Sequence, residues 1–318
     1  MIKAISAAVL MTVLSVSAQA QTYPTHPIRV ILALGAGGIG DIFMRAVGEE
    51  FRKRVGEPLV IENRPGGAFN IAAKACAEAA PDGYTICLLP VEALSYNRFL
   101  FKNPGYDTRS FEPITNVYTM TLALVANSSL GVKTLDELAA LAKAKPKTLA
   151  YTTPAVSASL FMENWTKTSG ADIVKVPFRG GAEAANAILQ GAVPISFSGL
   201  PAFIPYIQSG AMTPLAVDSD QRSPILPNVP TLRELGYTGP LTQTYSGLVA
   251  PKGTPKEIIV KLNKIFVEIA GEKSFSERHI TRLGMVPVLD TPDHFAAYLK
   301  ESERAAGAIV KDSGLEPQ

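Results

Sequence analysis

Short apolar runs alternate with amphipathic stretches along most of this 318-residue chain, and that rhythm dictates an α/β fold. Ile28 to Leu34 is apolar apart from Arg29 and predicts a buried strand. Phe43, Val47 and Phe51 then recur at fourfold spacing, and Gly56 stops the helix. A strand at Leu59 to Glu62, an alanine-rich helix from about Asn70 to Ala80, a Pro81-Asp82-Gly83 turn and a strand at Tyr84 to Leu89 follow. Right-handed crossovers turn such a βαβαβ run into a parallel sheet with helices on both faces.

The rhythm restarts after Leu122. A Thr134-x-x-Glu137 capping box predicts a helix ending before Pro146. Strands at Leu149 to Thr152, Ile173 to Val176, Val193 to Phe197 and Thr213 to Val217 alternate with helices at Ser157 to Thr168, Ala182 to Gln190 and Ala202 to Ser209. Two such units in one chain predict two lobes. A second capping box, Thr254 to Glu257, and Thr291-Pro292 open two last helices, which have no strand partner for a third domain and are expected to pack back on an existing lobe. The 47% hydrophobic and 18% charged composition excludes a disordered chain. With 30 basic against 28 acidic side chains, well dispersed, binding to nucleic acid or an anionic membrane is not the expected main function.

Residues 1–20 read as an export signal: Lys3, an apolar run too short to span a bilayer, and the small-x-small sequence Ala18-Gln19-Ala20. The mature protein is expected to start near Gln21 and to be periplasmic. An oxidising compartment permits Cys76 and Cys87 to pair. The first lies on a predicted helix and the second on a strand, and five residues rise roughly 7.5 Å in one and about 16 Å in the other. That mismatch favours two buried free thiols.

Ligands of wound sheets bind at the carboxyl ends of the strands. The loops there are Gly35 to Gly40, Asn63 to Asn70 (with Gly67) and Pro90 to Leu94 (with Glu92) in the first unit. In the second they are Thr153 to Ser159, Phe178 to Gly181 and Ser198 to Pro201. The helix start at Asp41 concentrates free N–H donors that suit a carboxylate or phosphate, although Asp41 is equally readable as an N-cap. Gly35-Ala36-Gly37-Gly38-Ile39-Gly40 also fits the dinucleotide fingerprint, with Glu62 where a ribose-binding acid would stand. Export away from the cytosolic cofactor pool, and the absence of a hydride-transfer acid–base pair, count against a dehydrogenase. His26, His279 and His294 are too scattered for a metal site, and no G-x-S-x-G elbow exists. Trp165 shares a helix face with Phe161 and reads as core. No catalytic residue, metal or cofactor is expected.

Tyr23 to Arg29, the Gly35 loop with Asp41, Glu62-Asn63-Arg64-Pro65-Gly66, Pro81 to Thr85, Val176-Pro177-Phe178-Arg179-Gly180, Leu226 to Thr231 and Gly247 to Pro251 together resemble the Bug family. These are the TctC-type substrate-binding proteins of tripartite tricarboxylate transporters. The resemblance spans the mature chain. It implies a two-lobed periplasmic binding protein fold, each lobe a wound, mostly parallel sheet flanked by helices, with the ligand cleft between lobes. It implies a discontinuous first lobe, 21–122 with 248–318, a second lobe at 123–247, and hinges near Val117 to Leu124 and Tyr245 to Val249. Small carboxylates are then held by backbone amides of Gly35 to Asp41 and of the facing loop Thr153 to Ser159.

The implied ligand set is Leu34, Gly35, Ala36, Gly37, Gly38, Ile39, Asp41, Gly67, Asn70 and Glu92, with Thr153, Ala155, Ser157, Ser159, Arg179, Gly180, Ser198 and Tyr245. Three positions depart from the family pattern. Leu34 replaces an aromatic residue, Ala155 to Ala158 replaces a glycine pair so that Ser157 or Ser159 donates instead, and Ser198 replaces an aspartate that would hold a ligand amino group. Glu92, close to a strand end, either replaces that acid or is simply solvated. The implied partners are a small-molecule carboxylate and a membrane permease, the protein acting as a monomer without enzymatic activity. The alternative partner is a sensor kinase.

Overall fold

The computed structural model describes residues 23–153, 156–176, 186–219, 221–238 and 244–318. The export signal, Ala155, Arg179, Gly180 and the first four residues of the helix expected at Ala182 to Gln190 lie outside these residues.

The predicted βαβαβ run forms as β1 (Ile28–Leu32), α1 (Ile39–Val55), β2 (Leu59–Asn63), α2 (Asn70–Ala77) and β3 (Thr85–Pro90). In β1, Val30 pairs in parallel with Ile61 on one side and Ile86 on the other, so the strand is central and both its faces are buried. Helix α1 seats Phe43, Val47 and Phe51 on one face of this sheet and ends on Gly56 at φ 92°, whose N–H caps the Arg52 carbonyl. After a short helix α3 (Asn97–Leu100), β4 (Phe111–Met120) leads directly into β5 (Leu122–Asn127) of a second sheet.

That second sheet continues through α4 (Leu135–Ala144), β6 (Leu149–Thr152), α5 (Val156–Ser169), β7 (Ile173–Lys175), β8 (Ile195–Gly199), α6 (Ile204–Gln208) and β9 (Met212–Asp218). The chain returns to the first sheet as β10 (Thr244–Pro251) and ends through α7 (Lys256–Gly271), α8 (Lys273–His279), β11 (Met285–Pro287) and α9 (Pro292–Ser313). Strand orders are β11-β4-β10-β3-β1-β2 and β7-β6-β8-β5-β9. The βαβ units supply the parallel ladders of each sheet. The strands adjoining the two passages between sheets, β4, β5, β9 and β10, pair antiparallel.

The last two long helices do pack on the first sheet, one per face. Leu262, Phe266 and Ile269 of α7 join Phe43 and Phe51, while Phe295, Ala306 and Ile309 of α9 join Leu89 and Tyr245. Thr134 caps α4 as its spacing predicts, accepting the Glu137 N–H at 3.1 Å. The Thr254 box does not form: that hydroxyl donates to the Pro251 carbonyl at 2.8 Å, and Pro255 precedes α7 without a side-chain cap.

Close packing of α9 on β10 depends on Gly247. A Cβ added there would lie 2.2 Å from Cζ of the fully buried Phe295. Gly247→Ala is therefore expected to cost about 2 kcal/mol, since overpacked cores relax only by moving side chains off their rotamers. Urea unfolding checks it, and an unchanged midpoint would show that α9 yields freely.

One expectation is overturned. Cys76 and Cys87 form a disulfide, with their Cα atoms 6.2 Å apart. Summing the rises of a helix and a strand assumed that the two elements extend away from each other. They instead meet at the turn: Cys76 is one residue from the end of α2 and Cys87 two from the start of β3, and both side chains enter the same apolar cluster.

Candidate functional site

Three loops of the first sheet meet at the carboxyl ends of β1, β2 and β3. The first, Leu34 to Gly38, is folded by two internal hydrogen bonds. Gly37, at φ 77°, donates its N–H to Asp41 Oδ2 at 2.9 Å, and Gly38 donates to the Gly35 carbonyl at 3.1 Å. Asp41 is thus no N-cap. Gly38 holds that place in extended conformation, and the Asp41 carboxylate reaches back from the first turn of α1. It is buried and also takes Arg45 Nε at 3.0 Å. The Arg45 hydrogen bond is the main reason its carboxyl lies below the usual range, and the Gly37 N–H adds to it.

This geometry revises the donors expected from sequence. The Gly37 and Gly38 amides and the Asp41 carboxylate hold the loop, so they are not free to hold a ligand. The first amides of α1, on Ile39 and Gly40, have no intrahelical acceptor. Leu34 is half-buried, with Gly35 and Ala36 exposed at the tip. Asn63 ties the second loop to the first by donating to the Leu34 carbonyl at 2.9 Å. Glu62 is already matched by Arg64 at 2.5 Å and Arg29 at 3.5 Å, so the acid a ribose would need is occupied.

The second loop carries four successive left-handed residues: Gly66 (φ 111°), Gly67 (57°), Ala68 (50°) and Phe69 (73°). Two of these are not glycine, a conformation that persists only where neighbours enforce it. Asn97, itself buried, does so by donating to the Ala68 carbonyl at 2.7 Å and to Asn70 Oδ1 at 2.6 Å. Sequence reasoning named Gly67 and Asn70 and missed Ala68, Phe69 and Asn97, because the restraint comes from a residue 29 positions away.

The third loop is a π-helical turn, Glu92–Tyr96, immediately past β3. Behind it Tyr245 is fully buried. Its hydroxyl lies 2.9 Å from Ser95 Oγ and donates to Ser302 Oγ at 3.2 Å, while its ring stands edge-on to Phe295 and Tyr298. Tyr245 therefore supports the turn from the core, and burial pushes its hydroxyl pKa up.

On the second sheet Thr153 is buried at the end of β6. Ser157 falls in the first turn of α5, and its side chain is outside the described residues. Ser159 is engaged by Lys175 Nζ at 2.8 Å. Ser198 is half-buried on β8, opposite Ala123 of β5. The start of α5 meets the first sheet directly, for Leu160 packs against the cluster that holds Phe69 and Tyr298. The chain passes from the first sheet to the second at Met120 to Leu122, and Leu160, in the helix that follows the Thr153 loop, packs against an apolar cluster of the first sheet.

Two wound sheets, two crossings and loops at facing strand ends define a two-lobed binding protein of the periplasmic type. The chain belongs to the tripartite tricarboxylate transporter receptor family, TctC, whose family model matches residues 43–315. Protein BugT of Bordetella pertussis is 32% identical over 299 residues, covering 93% of this chain and 91% of BugT. Among solved structures, R. palustris Rpa4515 with adipate superposes with a TM-score of 0.86 at 28% identity, covering 93% of this chain and all of that one. MatC from Rhodopseudomonas palustris with bound malate gives 0.81 at 27% identity, covering 91% and 100%. Proteins of this family are periplasmic substrate-binding receptors.

Proposed function

We propose that this chain, exported with loss of residues 1–20, binds a small organic carboxylate between a first lobe of 21–122 and 248–318 and a second of 123–247. It then presents the closed form to the permease subunits of a tripartite transporter, acting as a monomer and without catalysis. The observation that carries the reading is the start of α1. Its first amides, beside loops at three strand ends, lack intrahelical acceptors, and the cations Arg45, Arg64 and Arg29 are each engaged by Asp41 or Glu62. A carboxylate is then met by neutral donors and the helix dipole rather than by a salt bridge. Relatives with adipate and malate bound support a small acid as the ligand.

Thermal unfolding of the mature protein against mono-, di- and tricarboxylates, amino acids and NAD tests this. A ligand of the folded state raises the midpoint in a concentration-dependent way. A shift with NAD alone would overturn the receptor reading.

Gly38→Val is expected to weaken binding at least tenfold while the protein stays folded. The new Cβ would lie 3.0 Å from the Gly35 carbonyl oxygen, so the loop must move and carry the α1 amides with it. Undiminished affinity in the folded variant would place the ligand elsewhere.

A further inference from the structure

Beside the passage from β4 to β5, one edge of the first sheet leans on the second lobe through apolar contacts. This edge, β11 with β4, is the opposite one from β2 and its loop. Met120, the last residue of β4, lies over the end of β8, where a Cβ added at Gly199 would fall 2.5 Å from its Sδ. Met285 of β11 pairs with Met120, and the preceding Gly284 rests on the second lobe. A Cβ at Gly284 would lie 3.3 Å from Leu200 Cδ2 and 3.4 Å from both Ile204 Cδ1 and Ile225 Cδ1. Gly284 turns at φ 75°, so the chain enters β11 with no side chain between its backbone and these methyls. The Leu200 N–H donates to the Thr121 carbonyl at 2.9 Å and fixes the same corner through the backbone.

Met120, Gly284, Ile204 and Ile225 belong to none of the candidate ligand loops. A second contact lies elsewhere between the lobes, where Leu160 of α5 packs against the first-sheet cluster. Both contacts are made in one arrangement, with the Thr153 loop and its helix drawn to the first sheet. No ion pair between described residues spans the two lobes, so apolar burial supplies the attraction. Contacts of such small extent leave lobes free to move relative to each other. Losing one of them shifts the balance between arrangements rather than the fold of either lobe.

We infer that the clasp of Met120 and Gly284 on Leu200, Ile204 and Ile225 holds the lobes closed before any ligand arrives. It thereby sets affinity and capture rate from outside the cleft. The inference rests on the cleft between the lobes being the ligand site, as proposed above. A ligand enters the open form, so a protein that is mostly closed at rest captures slowly and releases slowly. Weakening the clasp raises the open fraction. Entry then quickens, while the apparent Kd rises in proportion as the closed fraction falls.

Small-angle scattering of the ligand-free mature protein tests this. The wild type is expected to show the radius of gyration of the compact arrangement. Ile225→Ala removes one half-buried partner of Gly284, and Ile225→Asp puts a charge at the same seat. Both are expected to scatter as larger particles, the Asp variant more so, with urea unfolding showing that each remains folded. Leu130→Ala, at the far end of β5, controls for general loosening and is expected to stay compact. In stopped-flow titration with adipate and malate, Ile225→Ala is expected to associate faster than the wild type, yet with a Kd about threefold higher or more. Saturating ligand should return it to the compact radius. Variants that keep the wild-type radius, or a ligand-free wild type already as expanded as they are, overturn the clasp and leave the receptor reading intact. If the variants expand but no acid of the thermal-unfolding panel binds, the clasp stands and the carboxylate reading falls.

Discussion

Removing the Cys76–Cys87 bridge is expected to destabilise the protein by about 3 kcal/mol. The two residues are 11 apart, and cross-linking a loop of that size withdraws roughly this much chain entropy from the unfolded state. Both cysteines are fully buried, under the helix that follows the strained Gly66 to Phe69 segment. The native protein should therefore show no titratable thiol, and reductant should act mainly once urea has opened the first lobe. The measurement is urea unfolding with and without reductant, alongside the Cys76→Ala, Cys87→Ala double variant. Coincident curves, or two thiols titrating in unreduced denatured protein, would mean that the cysteines are free. Because the bridge anchors α2 to β3, its loss should also weaken carboxylate binding more than a distant substitution of equal cost in stability.

Where the sequence was readable and where it was not follows from how local each interaction is. Phe43, Val47 and Phe51 of α1, and Leu262, Phe266 and Ile269 of α7, announce their buried faces by spacing alone. The capping box at Thr134 closes within four residues, whereas that at Thr254 is pre-empted by the Pro251 carbonyl. Strand β4 escaped notice. Pro113, Thr115 and Asn116 break any apolar run, yet Thr115 and Asn116 are buried, and Asp290 takes the Asn116 N–H at 2.7 Å and, through its carbonyl, the Thr115 hydroxyl at 2.9 Å. No periodicity reports a partner so far along the chain.

The site divides in the same way. That Gly35 to Asp41, Asn63 to Asn70 and Pro90 to Leu94 are candidate ligand loops at strand ends follows from the order of strands and helices. Which atoms remain free inside them does not. The glycine amides looked like donors to a ligand until Asp41 and Gly35 claimed them. Tyr245 looked like a contact until Ser95 and Ser302 did the same from behind. For Glu92 the reverse holds. Its position in a loop suggested a solvated acid as readily as a functional one, and only tertiary packing leaves it buried without a cation.

That isolation makes Glu92 a liability to folding at the pH where the protein would work, and the size of the liability can be derived. The carboxyl has an ordinary value of 4.5 when unfolded and about 7 when folded. Below pH 4.5 both states carry the proton, and Glu92 imposes no penalty. Between 4.5 and 7 the native state keeps a proton that the unfolded state has released, so stability falls as pH rises. Above about 7 both states are ionised and the loss is complete, amounting to about 3 kcal/mol at 1.36 kcal/mol per unit. Glu92→Gln removes the ionisation while retaining shape and polarity. The variant is expected to match the wild type in urea unfolding at pH 4 and to exceed it by up to about 3 kcal/mol at pH 8. Parallel pH profiles for the two proteins would show that Glu92 has a partner or solvent access in the folded state.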